Sequence, residues 1–332
     1  MVAITPEVAH MTAVGVFAMT FILTLVLFCD LRKHSHDQIT SANIGNTAIF
    51  SLFSILVLCF FFVVWNSVMY AFWKADTEQD KYFLIGLSKI ILELRITTGI
   101  INFISVGWFI TIKLIDVYKD TFLSINKRII YSCFALYVLS LLFWWLMLAL
   151  VYVIGHWQSQ FLSKPYQTLL NVTTMLYSIS SQIYFILILV LFNVKLFRFI
   201  SLTLTNNETL SLEINERFQN FIIKQTNLVS LITIAFVIFQ IIAYWRWVQS
   251  VTDNVVSLLY PVLFTFQQCI WAICIYLTFK INNKYYKTCC KYTHYCCVYS
   301  CTKLTKHNAG RSRRLQAGAT YSNLERSMSK IP

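Results

Sequence analysis

The chain has 332 residues, of which 58% are apolar and 12% charged, with eight glycines and four prolines. Soluble domains carry about 25% charged residues, so no water-facing surface can be assembled from this set, and so few glycines and prolines exclude collagen-like, low-complexity and turn-rich all-β proteins. A formal charge of +13 would by itself suit nucleic acid, but its position along the chain argues otherwise. What remains is an all-α membrane protein with several spans.

A hydrocarbon core about 30 Å thick takes roughly 20 apolar residues per helix. In chain order, seven segments meet that length: Met11 to Cys29, Ser41 to Trp73, Tyr82 to Ile115, Ile129 to Ser163, Pro165 to Val194, Gln225 to Trp245, and Asn254 to Phe279. The second and fourth carry no Asp, Glu, Lys or Arg, and their length requires tilt, protrusion or some loop. The third is interrupted by Lys89, Glu93 and Arg95, although Ile96 to Ile112 is free of charge. These seven form an expected bundle over residues 1–279.

Lysine and arginine in the flanks set the expected orientation. With the amino terminus outside, the inner segments hold twenty-one of the twenty-seven basic residues and the outer segments four, Lys74, Lys81, Lys164 and Arg246. The first ten residues contain no Lys or Arg, so no cleavable signal is expected. Residues 280–332 hold eleven basic side chains and one acid, Glu325. Most of the net charge therefore follows the positive-inside rule, and nucleic acid is not an expected partner.

Beyond the last span, Ile281, Tyr285, Cys289, Tyr292, Cys296 and Tyr299 recur at intervals of four or three, beside Lys280, Lys284, Lys287 and Lys291. That pattern predicts an amphipathic helix over 280–301, lying on an anionic lipid surface. Half of the ten cysteines fall there: Cys289, Cys290, Cys296, Cys297 and Cys301. In a reducing cytosol they are candidates for S-palmitoylation rather than disulfides. Zinc is the competing role, and Cys-Cys-x5-Cys-Cys-x3-Cys lacks the usual ligand spacing. Residues 302–332 are polar and basic and read as a disordered tail.

Seven helices, an outer amino terminus, short outer loops and a cationic tail together resemble the G-protein-coupled receptor superfamily. Asp116-Val117-Tyr118-Lys119, where the third span ends, resembles the acid-Arg-Tyr triplet of rhodopsin-like receptors, with Val117 in place of the arginine. The sixth span has Trp245 and Trp247 but no proline, the seventh has Pro261 but no Asn-Pro at its inner end, and the outer loops have no cysteine. The chain thus departs from the rhodopsin-like pattern in detail. The resemblance implies a plasma-membrane receptor with an unknown ligand outside and a G protein or similar effector inside. A retinal Schiff base is disfavoured, because Asn254 to Phe279 contains no lysine.

Charge within a span is costly and marks a candidate site. Lys89 and Glu93 share a helical face and can pair; Arg95 points elsewhere and would suit an anionic ligand group, and snorkelling at the interface is the plainer role for all three. Gln267 and Gln268 follow Pro261 by about two turns and serve either as interhelical hydrogen-bond partners or as the wall of a wet cavity. Tyr244 and Trp245 suit an interface belt or a pocket wall. Candidate coupling residues are Asp116, Tyr118, Lys119, Lys127, Arg128 and Phe218, the last on an apolar stripe, Leu210, Ile214, Phe218 and Phe221, that predicts a sixth helix extending beyond its span. That extension suits either a G-protein face or the headgroup layer.

No P-loop, metalloprotease helix or nucleophile triad is present, so neither an enzyme nor a resident cofactor or metal is expected. A signalling receptor is the leading function, and a small-solute or ion transporter or channel is the alternative.

Overall fold

The computed structural model describes residues 6–38, 42–118, 126–157, 164–205, 212–249, 254–279, 285–286 and 288. Among them are seven helices: α1 (Pro6–Gln38), α2 (Ala42–Lys74), α3 (Glu78–Val117), α4 (Lys127–Trp157), α5 (Lys164–Thr205), α6 (Leu212–Gln249) and α7 (Asn254–Leu277). Two compact units divide the chain, one of Met1–Leu191 with Leu228–Asn283, the other of Phe192–Asn227 with Lys284–Pro332.

Each expected span falls on a helix. Six of these, in α1 to α6, are long and apolar enough to cross a membrane, and the seventh apolar stretch, Val262–Leu277, is shorter. The α3 helix runs unbroken through Lys89, Glu93 and Arg95 for 40 residues, about 60 Å at 1.5 Å per residue. That is twice the hydrocarbon thickness, so α3 must tilt or protrude. It starts a turn before Tyr82 because Thr77 caps it. The Thr77 hydroxyl accepts from the Asp80 amide (3.1 Å) and donates to the Asp80 carboxylate (2.5 Å), and Glu78 and Asp80 in the first turn face the positive end of the helix dipole. The α6 helix begins at Leu212, thirteen residues before Gln225, in line with the expected extension.

Side-chain contacts in the first unit fix the register. Ser51 meets Ser105, Ser54 meets Asn102, and Arg95 lies over Phe62 and Trp65; positions rise on α2 as they fall on α3, so the two are antiparallel. Tyr137 reaches Phe103 while Trp108 reaches Tyr131 and Phe134, which sets α4 antiparallel to α3. Tyr137, Ser140 and Trp144 pair with Tyr184, Ser180 and Tyr177, which turns α5 back again. Phe239 meets Phe264 while Phe236 meets Trp271, so α6 and α7 are antiparallel. Phe17, Thr20 and Asp30 meet Phe264, Cys269 and Tyr276, so α1 and α7 run parallel. An even number of reversals between first and last helix requires this.

Large apolar side chains stay exposed on the outer faces of several helices. Met19, Ile22 and Val26 on α1, Phe50, Phe53 and Phe60 on α2, and Leu136, Leu139, Phe143 and Leu146 on α4 are all exposed. Continuous apolar faces of this extent are untenable in water and ordinary against lipid. The chain is an integral, multi-pass helical membrane protein.

Where α3, α4 and α5 meet, glycine is required. A Cβ on Gly107 would lie 3.2 Å from a Tyr137 ring carbon and 3.3 Å from one of Phe134, whereas at Gly99 the nearest atom would be a Leu58 methyl at 3.8 Å. Tyr184 stacks on Tyr137 at 4.7 Å and donates to the Gly107 carbonyl at 2.9 Å. Gly107→Val is expected to lower stability by roughly 1–3 kcal/mol, as overpacking does, while Gly99→Ala stays near neutral; midpoints of denaturant unfolding in detergent compare the two.

Candidate ligand and coupling sites

Asn102, fully buried on α3, ties three helices together. Its amide nitrogen donates to the Gln268 side-chain oxygen on α7 (2.8 Å), and its side-chain oxygen accepts from the Ser54 hydroxyl on α2 (3.1 Å). Ser54 pairs with the Ser105 hydroxyl (2.7 Å), and Ser51 donates to the Ser105 carbonyl (3.0 Å). Side-chain hydrogen bonds of this kind hold membrane helices together where apolar burial supplies no driving force. Gln268 therefore takes the bridging role. Gln267 beside it is equally buried and stands apart from that chain.

An aromatic cluster adjoins this junction. Phe185 stacks on Phe236 at 4.1 Å, Phe103 meets Trp271 edge-on at 5.6 Å, and Trp271 Nε1 donates to the Ile232 carbonyl at 3.1 Å. Phe185, Phe236 and Trp271 are wholly buried.

Toward the α2–α3 turn, the Arg95 guanidinium lies 4.6 Å from the centre of the Phe62 ring and 4.2 Å from that of Trp65. Trp65 meets His10 edge-on at 5.7 Å, and His10 Nδ1 is hydrogen-bonded to the Asn66 side-chain oxygen at 2.9 Å. The α1 start is joined to the α2 end by an exposed ion pair, Glu7 with Lys74 at 3.6 Å. Arg95 is thus spread over aromatic faces, an arrangement that guanidinium accommodates and a compact ammonium does not. Lys89 and Glu93 are exposed on α3, and no ion pair joins them. Of the three charges in this span, only Arg95 turns into the bundle. Tyr244 and Trp245 fall within α6, with their side chains outside the described part.

At the other end of the bundle, Tyr118 is buried and its backbone N–H closes α3 onto the Asp116 carbonyl; Asp116 is half-buried and Lys113, a turn earlier, is buried. Lys127 and Arg128 are exposed in the first turn of α4, where the Asn126 side chain accepts from the Arg128 amide at 3.0 Å. Lys119 lies outside the described residues, as does the side chain of Phe218. So do Cys289, Cys290, Cys296, Cys297 and Cys301. Of the helix expected over 280–301, Tyr285, Tyr286 and Thr288 are described, and all three are helical.

Two contacts were not anticipated from sequence. Tyr276 on α7 donates to the Asp30 carboxylate on α1 at 2.6 Å. Within the second unit, Asn227 donates to the Tyr286 hydroxyl at 3.3 Å, and the Lys224 ammonium sits 5.3 Å from the Tyr286 ring centre. All three of these residues are buried. The signal for the first was an acid, Asp30, directly after a long apolar run. For the second there was none beyond the polar run Lys224-Gln225-Thr226-Asn227, which reads as a span boundary.

No family model, curated protein or solved structure matches the chain. Among the described residues no cluster of His, Cys, Asp and Glu is arranged to hold a metal ion.

Replacing Asn102 with Leu removes the α2–α3–α7 junction and leaves the Gln268 oxygen buried without its donor. A loss of about 0.5–2 kcal/mol is expected, the span measured for interhelical hydrogen bonds in membranes. Arg95→Met keeps the packing against Phe62 and Trp65 and drops the cation, at an expected cost of about 1 kcal/mol. Unfolding midpoints in mixed micelles measure both.

Proposed function

We propose that this protein is a seven-span signalling receptor of the G-protein-coupled kind, with its amino terminus outside and the carboxyl-terminal tail in the cytosol. The packing among the described residues supports this proposal over a channel or carrier. The hydrogen-bonded chain from Ser51 to Gln268 and the rings of Phe185, Phe236 and Trp271 occupy the centre of the bundle, where a channel or carrier needs a polar path lined by ionisable groups. On this view the ligand enters from the α2–α3 side, where Arg95 and Trp65 stand. The exposed Lys127 and Arg128 face the effector. Ligand binding then shifts a two-state equilibrium between packings of α3, α5 and α6. The exposed apolar faces contact lipid, and acyl groups on the juxtamembrane cysteines would hold the tail against the bilayer.

Purified protein in lipid vesicles is expected to accelerate guanine-nucleotide exchange on added heterotrimeric G proteins and to pass no ions. The double variant Lys127→Glu, Arg128→Glu should lower that exchange several-fold with unchanged folding, since reversing charge at the rim of an interface chiefly slows association. Ion flux with no exchange would replace the receptor with the transporter.

A further inference from the structure

Near the start of the apolar stretch Phe221–Ile242 of α6, the consecutive residues Ile222, Ile223, Lys224, Gln225, Thr226 and Asn227 are all buried. At about 100° per residue they point around more than a full circle, so the helix is enclosed on every side at this level. One side of the enclosure is polar. Lys224 and Asn227 share a face, at i and i+3, and both meet Tyr286. The ammonium lies 5.3 Å from the centre of its ring, and the Asn227 amide donates to its hydroxyl at 3.3 Å. Tyr286 is 3% exposed, whereas Tyr285 beside it is 59% exposed. Farther along α6, Ile234, Ile238 and Ile241 continue the face of Asn227 at helical spacing, and all three are exposed. The face that α6 turns to lipid is therefore closed at Lys224 and Asn227, and the closure includes a side chain that follows α7 in the chain.

We propose that Tyr286 belongs to an autoinhibitory strap: it sits across the face of Lys224 and Asn227 and withholds that face from a cytoplasmic partner until it lifts. This rests on the receptor reading above, which places the amino end of α6 in the cytosol. The chemistry of the contact suits a closure that opens and shuts. One ring over an ammonium and one amide-to-hydroxyl bond together contribute roughly tenfold to an equilibrium. That holds the closed state in the majority and is small enough for a binding partner to overcome. Once the ring is withdrawn, Lys224 offers a cation and Asn227 an N–H donor, three residues apart on one face. An acidic protein segment answers both, with a carboxylate for the ammonium and a carbonyl for the amide.

Full-length protein in lipid nanodiscs can be treated with a water-soluble acylating ester and the modification of Lys224 followed by mass spectrometry. Lys224 should react slowly in the wild type and roughly tenfold faster in Tyr286→Ala. Tyr286→Phe should fall between them, because the ring stays over the ammonium and only the Asn227 bond is lost; it carries the same comparison if the alanine variant does not fold. Tyr285→Ala, one residue away and exposed, should leave the rate as in the wild type. Ligand-free nucleotide exchange on heterotrimeric G proteins should rise in the same order. Lys224 reacting in the wild type as fast as the exposed Lys127, or no faster in the Tyr286 variants than in the wild type, would overturn the proposal. So would equal exchange by Tyr286→Ala and by a wild type that does couple. If neither protein drives exchange, it is the receptor reading that fails, and the Lys224 rates alone uphold or overturn the strap.

Discussion

Inside a bilayer, a polar side chain must find its partner within the protein, and the arrangement around Asn102 follows from that constraint. Its amide needs donors and acceptors on both sides, and α2 and α7 provide them through Ser54 and Gln268. Once those bonds are made, the register of α2 against α3 is set: a shift of one helical turn would separate Ser51 from Ser105 and Arg95 from its two rings together. The positions of Gln267, of Trp271 and of the aromatic cluster are then consequences, because α7 has no freedom left to rotate. Apolar packing alone would tolerate several such arrangements, since lipid competes for the same surfaces on nearly equal terms.

The seven helices among the described residues and their approximate positions were legible in the sequence because both come from one large, additive quantity, the free energy of placing about twenty side chains in hydrocarbon. Helix ends beyond the span were less so. The α3 helix begins four residues before Tyr82 on the strength of a single capping side chain, Thr77, and α5 continues to Thr205, well past Val194, where the apolar pattern stops but nothing breaks the helix. The α6 extension was visible because its apolar stripe keeps a helical period.

The site was only partly legible. Gln267 and Gln268 stood out as polar residues in an apolar helix, but adjacent positions differ by about 100° around the axis, and only the neighbours decide that it is Gln268 that bridges to Asn102. Lys89, Glu93 and Arg95 look alike in sequence, as charges spaced over two turns. Arg95 alone has aromatic partners, Phe62 and Trp65, a turn apart on another helix, and pairing across helices leaves no trace in a single sequence. The serines at 51, 54 and 105 carry no signal in the sequence, because serine is common in spans and usually donates to its own helix, as Ser88 and Ser140 do here.

The bond between Asn102 and Gln268 joins residues 166 positions apart. A ribosome adding about 5–20 residues per second reaches Gln268 roughly 10–30 s after Asn102. Through that interval α1, α2 and α3 are already made and can assemble through Ser51, Ser54 and Ser105, while half of the Asn102 side chain has no permanent partner. Closure waits for the last helix, which must slide in parallel to the first and satisfy Thr20, Asp30 and Asn102 as it arrives. A chain cut short before α7 would leave the Asn102 amide without its Gln268 acceptor.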